Sequence, residues 1–240
     1  MVDGILTAAG VTGEQIVEVL RLMHKWGVLI YFPPTDDFSL MELIVLDPAW
    51  LSAALCCIVT ARGDTGIVHG VLPFRRMREL LGRFSEHHRL QVVMLLERFE
   101  LAFRLEGEQA CLVPCLLGDG SIALPAVGVG ALTLSEDRVF DHVLSNFWPR
   151  LLVRTHHYTF RGRQQVQLHS CSSRECLLVR NEHFAHLTII PESATNQTTL
   201  SISVWGSSPA NFFSILCDCV DQLLCDPIYT RMASQMQRAV

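Results

Sequence analysis

The chain has 240 residues, of which 50% are hydrophobic and 18% are charged, so it can bury a large core and is not disordered as a whole. Its formal net charge is −5, and residues 1–119 hold 10 basic against 15 acidic side chains, which disfavours broad binding to nucleic-acid phosphates. The most apolar runs, 50–61 and 124–134, are shorter than the roughly 20 residues that a membrane-spanning helix needs, so we expect no membrane span.

The N-terminal part of the chain shows the pattern of one helix followed by two strands. Thr12 and Gln15 have the spacing of a capping box, and apolar residues recur at helical spacing from there to Trp26. Apolar runs over 28–32 and 40–46, separated by a proline pair, predict two strands joined by a turn. The order helix, strand, turn, strand is typical of a winged-helix unit, which we predict for this region.

Helical patterns dominate the next part of the chain. The predicted elements up to residue 117 are helices over 49–60, 73–82 and 85–103 and a short strand over 111–117. Trp26 and Trp50 are each surrounded in sequence by apolar residues and lie beside the end of a predicted helix. We therefore expect both indole rings in the core of the winged-helix half.

The residue pattern changes at Gly118 and Gly120, where alternating and β-branched residues replace the helical spacing. We place the domain boundary there, with domains over 1–118 and 119–240. The predicted elements of the second domain are a strand over 138–144, a helix over 146–157, strands over 164–171, 174–180, 185–190 and 199–205, and a last helix beginning at Ser207 or Ser208. The predicted fold class is therefore α+β: a winged-helix-like N-terminal subdomain followed by an antiparallel sheet, a meander, with packed helices.

Motifs for nucleotide and covalent chemistry are missing from the sequence. It holds no phosphate loop, no dinucleotide-binding glycine motif and no kinase or hydrolase signature. The adjacent residues His156 and His157 would point apart on a helix, so they do not form a catalytic pair. We therefore expect no catalytic residue, no cofactor-binding residue and no enzyme activity in this chain.

The cysteine pattern argues against both disulfides and a metal site. The nine cysteines are odd in number, no signal peptide opens the chain, and no pair has the CxxC spacing of a zinc site. We interpret them as reduced, small apolar residues of a cytoplasmic protein, and we expect no metal ligands.

Seven segments of the chain resemble, in order, the pattern of the COR domain, which follows the Roc GTPase domain in ROCO proteins. These segments are 23–32 (MHKWGVLIYF), 44–51 (IVLDPAWL), 66–72 (GIVHGVL), 95–101 (LLERFEL), 112–117 (LVPCLL), 147–154 (FWPRLLVR) and 201–206 (SISVWG). The resemblance implies two parts, of which the first packs on the GTPase and the second forms a dimer contact. It also implies a non-catalytic module that couples a Roc-type GTPase domain, in cis but absent from this chain, to homodimerisation and intramolecular regulation.

The predicted GTPase-docking residues lie within four positions of one predicted helix: Arg75, Arg76 and Arg78. Three arginines so spaced cannot share one helix face, so part of the cluster is available to a carboxylate-bearing partner. The alternative is that these arginines are only solvated.

The predicted dimer interface uses residues from one of the matching segments: Phe147, Trp148, Arg150 and Arg154. The alternative is that these side chains cover the domain's own sheet. A different function would be a winged-helix DNA-binding protein, with the helix over 12–26 or the basic segment 73–89 in a groove. The negative charge of the first half argues against it, and we expect no nucleic-acid partner.

Overall fold

The structure is a computed structural model that describes residues 13–32, 43–61, 63–64, 66–105, 108–128, 130–141, 143–160, 166–180, 182–192, 197–226 and 234–237. Helices and three antiparallel sheets build these parts of the chain, which confirms the predicted α+β class. The contacts group the chain into two compact units, one of residues 1–60 and 78–95 and one of residues 61–77 and 96–240. The domain division at residue 118 and the winged-helix identity of the first half stay predictions.

The first unit begins with the predicted order of helix and two strands. Its elements are α1 (Gly13–Lys25), β1 (Ile30–Phe32), β2 (Leu43–Val45), α2 (Pro48–Val59), the end of α3 (Phe74–Leu80) and most of α4 (Glu86–Arg98). Strands β1 and β2 pair antiparallel, with Tyr31 opposite Ile44. Leu20 of α1 packs with Leu29 and Tyr31 in a small buried cluster, so the apolar face of the helix covers the hairpin.

Two polar side chains fix the helix ends of this unit. Asp47 caps α2 by accepting a hydrogen bond from the backbone N–H of Ala49 at 2.9 Å, with Pro48 at the first helical position as predicted. Arg89 of α4 donates to the carbonyl oxygens of Leu81 and Phe84. The guanidinium thus ties α4 to the turn that follows α3.

The expectation for the two tryptophans is wrong at one position. Trp26 is 68% exposed, because α1 ends at Lys25 and Trp26 lies in the following turn, where helical spacing no longer aims a side chain at the core. Trp50 lies inside α2 and is half-buried, with its ring 5.7 Å from the ring of Phe84 in an edge-on contact.

The second unit contains a small sheet and a large one. The small sheet has the order β3, β5, β4, with strands β3 (Val71–Pro73), β4 (Phe103–Arg104) and β5 (Ala110–Leu112), and a short 3-10 helix at Pro114–Leu116 follows it. The predicted strand over 111–117 is therefore a strand for its first two residues only.

The large sheet has six antiparallel strands in the order β11, β6, β10, β9, β8, β7. Its strands are β6 (Leu132–Phe140), β7 (Val166–Cys171), β8 (Glu175–Arg180), β9 (His183–Glu192), β10 (Gln197–Gly206) and β11 (Ser234–Gln237). Strands β7 to β10 form the predicted meander. The meander ends with β10, which pairs antiparallel with the earlier strand β6.

Two helices supply the other layer of the second unit: α5 (Phe147–Phe160) and α6 (Ala210–Leu224). The core between the helices and the large sheet includes Phe140, Leu151, Ile202 and Leu216, all at most 2% exposed. Residues such as Leu200, Ile202 and Val204 alternate along β10, so one face of the strand meets the helices. Burial of this face is the main stabilising term of the unit.

Candidate interaction sites

The three arginines of α3 have different environments. Arg76 binds Asp64 with two parallel contacts, Nε to Oδ1 at 3.0 Å and Nη2 to Oδ2 at 2.6 Å, and is half-buried. Arg75 and Arg78 are exposed. Arg76 has a bidentate partner within its own unit, and the docking role of the three arginines stays a prediction.

The Arg76 contact organises the loop before β3. Asp64 also accepts a hydrogen bond from the N–H of Gly66 at 2.8 Å. The hydrogen bonds from Arg76 are the largest cause of a lowered Asp64 pKa, and the hydrogen bond from Gly66 is the next largest. The Arg76 side chain lies so close to Gly66 that an added Cβ would stand 3.0 Å from Arg76 Cδ. A substitution at Arg76 would therefore change this loop as well as the surface charge.

Phe147 and Trp148, at the start of α5, are interior side chains of the second unit. Phe147 is 0% exposed and its ring lies 5.7 Å from that of Phe140. Trp148 is also buried, and its Nε1–H donates to the carbonyl oxygen of Ser172 at 3.2 Å. A direct dimer contact by these two side chains would require α5 to leave the sheet, and their predicted role in the dimer stays a prediction.

Arg150 and Arg154 of α5 lie in a cluster of four charged residues. Arg150 Nη2 lies 2.5 Å from Glu100 Oε2, and Arg154 Nε lies 2.8 Å from Glu100 Oε1. Both guanidinium groups also contact Asp226 Oδ2 at 3.1 Å. The cluster joins α5 to the residues that follow α4 and to those that follow α6, so the two arginines hold parts of the second unit together.

A buried ion pair in the large sheet was missed by the sequence reasoning. Arg138 is 1% exposed, and its Nε donates to Glu136 Oε1 at 2.6 Å while its Nη1 donates to Asp221 Oδ1 of α6 at 2.5 Å. Burial alone would lower the pKa of Arg138, but these hydrogen bonds outweigh it and raise the pKa. The sequence contained a signal for this pair, because Glu136 and Arg138 stand at alternate positions of a strand and therefore lie on the same face.

An apolar strip at the start of β6 was also missed. Leu132 and Leu134 lie on the same face of the strand as Arg138 and Phe140, yet both leucines are exposed. Within the described residues β11 pairs only with 137–140 of β6, so the outer edge of 132–136 has no described strand beside it. Exposed apolar side chains on a strand are typical of an interaction surface.

Two features are absent from the described residues, a metal-binding cluster and a membrane-spanning helix. No group of three or more histidine, cysteine, aspartate or glutamate side chains in this part of the chain is arranged to hold a metal ion. No helix among the same residues is long and apolar enough to cross a membrane.

The family comparison matches the first half of the chain. Residues 2–117 match the protein-family model described as "C-terminal of Roc, COR-A domain". The match ends one residue before the domain boundary predicted from the sequence.

Similar proteins combine such a region with other domains. The chain is 28% identical over 184 residues, 71% of its length, to a Roc-COR-CHAT protease from an unknown prokaryotic organism. It is 28% identical over 110 residues to the probable serine/threonine-protein kinase qkgA of Dictyostelium discoideum, and 30% identical over 107 residues to leucine-rich repeat serine/threonine-protein kinase 1 of Mus musculus. Those matches cover 45% and 43% of the chain. The chain spans 16%, 7% and 5% of the length of the three relatives, respectively. None of the three names supports the alternative of a DNA-binding protein.

Proposed function

Because this chain belongs to the COR domains of the ROCO family, with its COR-A part over residues 2–117, we propose that it couples a neighbouring Roc GTPase domain to dimerisation and intramolecular regulation. In this proposal the chain is a cytoplasmic, non-catalytic module, and the GTPase precedes it in the parent protein. The observation that carries the proposal is the match of 2–117 to a family defined by its position after Roc. The name of the prokaryotic relative, which joins Roc and COR, supports the same arrangement.

The proposed Roc contact uses exposed arginines of α3. Arg75 and Arg78 are exposed and carry positive charge, which suits a carboxylate-bearing partner. Arg76 has a structural role in the loop before β3, so we assign it a supporting part in this contact.

Mixing the full chain with the Roc domain of its parent protein tests this contact. Arg75→Glu and Arg78→Glu should each raise the Kd at least about tenfold at low salt, and added salt should weaken the wild-type complex. Arg98→Glu makes the same charge change at an exposed position of α4 and is the matched control. Equal binding by all three variants would reject the arginine contact, and no binding by the wild-type chain would reject a Roc-docking role.

The proposed dimer contact is the apolar strip formed by Leu132 and Leu134 at the start of β6, both of which are exposed. Two copies of this strip can meet about a two-fold axis, which is the commonest symmetry of homodimers. The contact would remove both leucine side chains from water. Phe147 and Trp148 would then support the strip from the core, and Arg150 and Arg154 would stabilise the unit that carries it.

Sedimentation of the full chain tests the dimer. Leu132→Asp and Leu134→Asp should raise the dimer Kd at least about tenfold, because a charge placed in an apolar contact must be desolvated without a partner. Leu144→Asp introduces the same charge at an exposed leucine beyond β6 and should leave the Kd unchanged. A wild-type chain that stays monomeric at high micromolar concentration while folded would reject self-association by this chain.

Regulation requires that dimerisation and Roc binding be coupled. If they are, Leu132→Asp should change the affinity for the Roc domain although Leu132 lies outside the proposed docking residues. An unchanged affinity in a monomeric variant would mean that the two contacts are independent and would reject the regulatory part of the proposal.

A further inference from the structure

Two cysteines face each other across the hairpin of β7 and β8. The strand register places Cys171 directly opposite Cys176, and neither forms a disulfide in the structure. Residues directly opposite on antiparallel strands lie on the same face of the sheet, so the two thiols point to the same side.

The position of this pair in the hairpin suits a cross-link. The hairpin turn is closed by a hydrogen bond of 2.7 Å from the N–H of Ser172 to the carbonyl oxygen of Glu175. Hydrogen-bonded and non-hydrogen-bonded pairs alternate along an antiparallel ladder, so the adjacent pair of Cys171 and Cys176 is non-hydrogen-bonded. In such pairs the Cα atoms lie about 4.5 Å apart, within the range of about 4.4 to 6.8 Å that a disulfide spans.

We propose that Cys171 and Cys176 are a redox modification site that forms a reversible disulfide with glutathione disulfide as the oxidant. The thiolate of Cys171 attacks one sulfur of glutathione disulfide, which forms a mixed disulfide and releases one glutathione thiolate. The thiolate of Cys176 then attacks the sulfur of Cys171 and releases the second glutathione. The protein loses two thiol protons and two electrons, and the oxidant becomes two molecules of glutathione.

The exposure of the two cysteines sets the order of these steps. Cys171 is half-buried and Cys176 is 0% exposed, so in this proposal the oxidant reacts first with Cys171 and Cys176 attacks only the neighbouring sulfur. Burial raises the pKa of the Cys171 thiol to about 11. The pKa of the Cys176 thiol is also raised, mainly by burial and to a smaller extent by the neighbouring Cys171. The reaction is therefore slow at neutral pH and accelerates about tenfold for each pH unit, because the thiolate is the nucleophile.

Contacts on both sides of the turn keep the pair aligned. Trp148 of α5 binds the carbonyl oxygen of Ser172, and the N–H of Ser173 donates to the carbonyl oxygen of Gly118 at 3.0 Å. The hydroxyl of Ser173 also binds Asp119. Because the turn is held in this way, the cross-link can form without a change of register, and it would lock the hairpin that contacts residues 118 and 119.

Tryptic mapping of the native, full chain tests the proposal. The chain is treated with glutathione disulfide at about pH 8.5, remaining thiols are blocked, and the protein is digested without reduction. Trypsin cleaves after Arg174, so Cys171 falls in the peptide 164–174 and Cys176 in the peptide 175–180, each with one cysteine. We expect these two peptides to appear joined, with the mass of both less two hydrogen atoms, and to separate on reduction.

Single substitutions assign the link. Cys171→Ser should abolish the joined peptide, and Cys225→Ser, at an exposed cysteine of the same chain, should leave its yield unchanged. A glutathione adduct on Cys171 that persists without the joined peptide would overturn the proposal, since Cys176 then cannot reach it. Modification of Cys225 with no reaction at Cys171 would also overturn it, and circular dichroism after oxidation confirms that the chain stayed folded.

Discussion

At the scale of single residues, Gly206 occupies a position in the large sheet that has no room for a side chain. It ends β10 with φ at +157°, and an added Cβ would lie 2.5 Å from Cδ2 of His183. The imidazole has little room to move, since its Nε2 accepts a hydrogen bond from the N–H of Ser208 at 3.0 Å and its Nδ1 lies 3.2 Å from the carbonyl oxygen of Arg180. A side chain at position 206 must therefore displace either His183 or the strand end.

We expect Gly206→Ala to lower the free energy of unfolding by about 1–3 kcal/mol, the cost typical of overpacking. Urea unfolding of the full chain measures the change. Gly120→Ala is the control, because no described atom lies within 4 Å of the Cβ that it adds. Similar losses in both variants would show that the His183 contact is not the cause.

Asp64 and Arg76 give a second residue-scale prediction, about proton affinity. The hydrogen bonds from Arg76 hold the pKa of Asp64 below its ordinary value of 3.8. A pKa that is lower in the folded than in the unfolded state means that the carboxylate contributes stability above pH 3.8, and that this contribution is lost as the pH falls through the folded pKa. Arg76→Gln should therefore raise the pKa of Asp64 toward 3.8.

Carboxyl-carbon NMR titration of the full chain measures this pKa. Arg75→Gln removes a neighbouring charge without removing the hydrogen bonds and is the matched control. An Asp64 pKa that is equal in wild type and Arg76→Gln would contradict the assigned cause.

At the scale of elements, α1 distinguishes a buried from an exposed apolar residue. Leu20 is 0% exposed in the helix, whereas Trp26 lies beyond the helix end and is exposed. We expect Leu20→Ala to lower the free energy of unfolding by about 2–5 kcal/mol and Trp26→Ala to change it by less than about 0.5 kcal/mol. Denaturant unfolding followed by circular dichroism compares them, and a large loss from Trp26→Ala would mean that its ring packs on the protein.

The helices were the most predictable elements, because their signals are local. Pro48 after Asp47 marked the start of α2. Helical spacing of apolar residues predicted α4 and α5 to within a few residues. The end of α4 differs most, since the helix ends at Arg98 and not at the predicted residue 103. The four strands β7 to β10 were predicted for the same reason, since turn residues separate them.

Elements that depend on distant partners were less predictable. The strand expected over 138–144 is β6, which covers Leu132–Phe140, because pairing with β10 extends it toward its start. The strand β11 was not predicted, since its polar sequence shows no apolar alternation and its pairing with β6 defines it. Register and edge pairing come from contacts between residues far apart in sequence, which a local pattern does not contain.

The candidate sites show the same limit. The sequence pointed to Arg76 and to the arginines of α5 as charged groups, but it did not reveal that Asp64, Glu100 and Asp226 would bind them. It placed Phe147 and Trp148 in a matching segment, whereas only the packing of α5 reveals that both are buried. The sequence therefore indicates which residues carry a charge or an apolar side chain, and the tertiary structure determines which partner each of them contacts.

At the scale of the whole molecule, the cluster of Arg150, Arg154, Glu100 and Asp226 connects distant parts of the sequence. Glu100 lies in the region that matches the COR-A family, and the other three residues follow that region. The backbone of Glu100 has φ at +56°, a conformation that is costly for a residue other than glycine. Its two arginine partners hold the Glu100 carboxylate in place.

The final prediction separates this structural role from the dimer contact that the sequence predicted for Arg150 and Arg154. Glu100→Gln keeps the shape of the side chain and removes its charge, so it should lower the free energy of unfolding by about 1–3 kcal/mol, the worth of hydrogen bonds between charged groups. Glu108→Gln, at an exposed glutamate, is the control and should have little effect.

Arg150→Met completes the comparison, because it removes the guanidinium and retains much of the apolar stem. If Arg150 acts on the fold through Glu100, the two substitutions together should cost less than the sum of their separate effects, and sedimentation should find the dimer Kd of the folded variant unchanged. Additive losses would mean that the two residues are not coupled. A dimer Kd raised tenfold or more by Arg150→Met, with the free energy of unfolding unchanged, would instead assign Arg150 to the dimer contact. Such a result would mean that the Arg150 side chain stabilises the dimer and does not stabilise the fold.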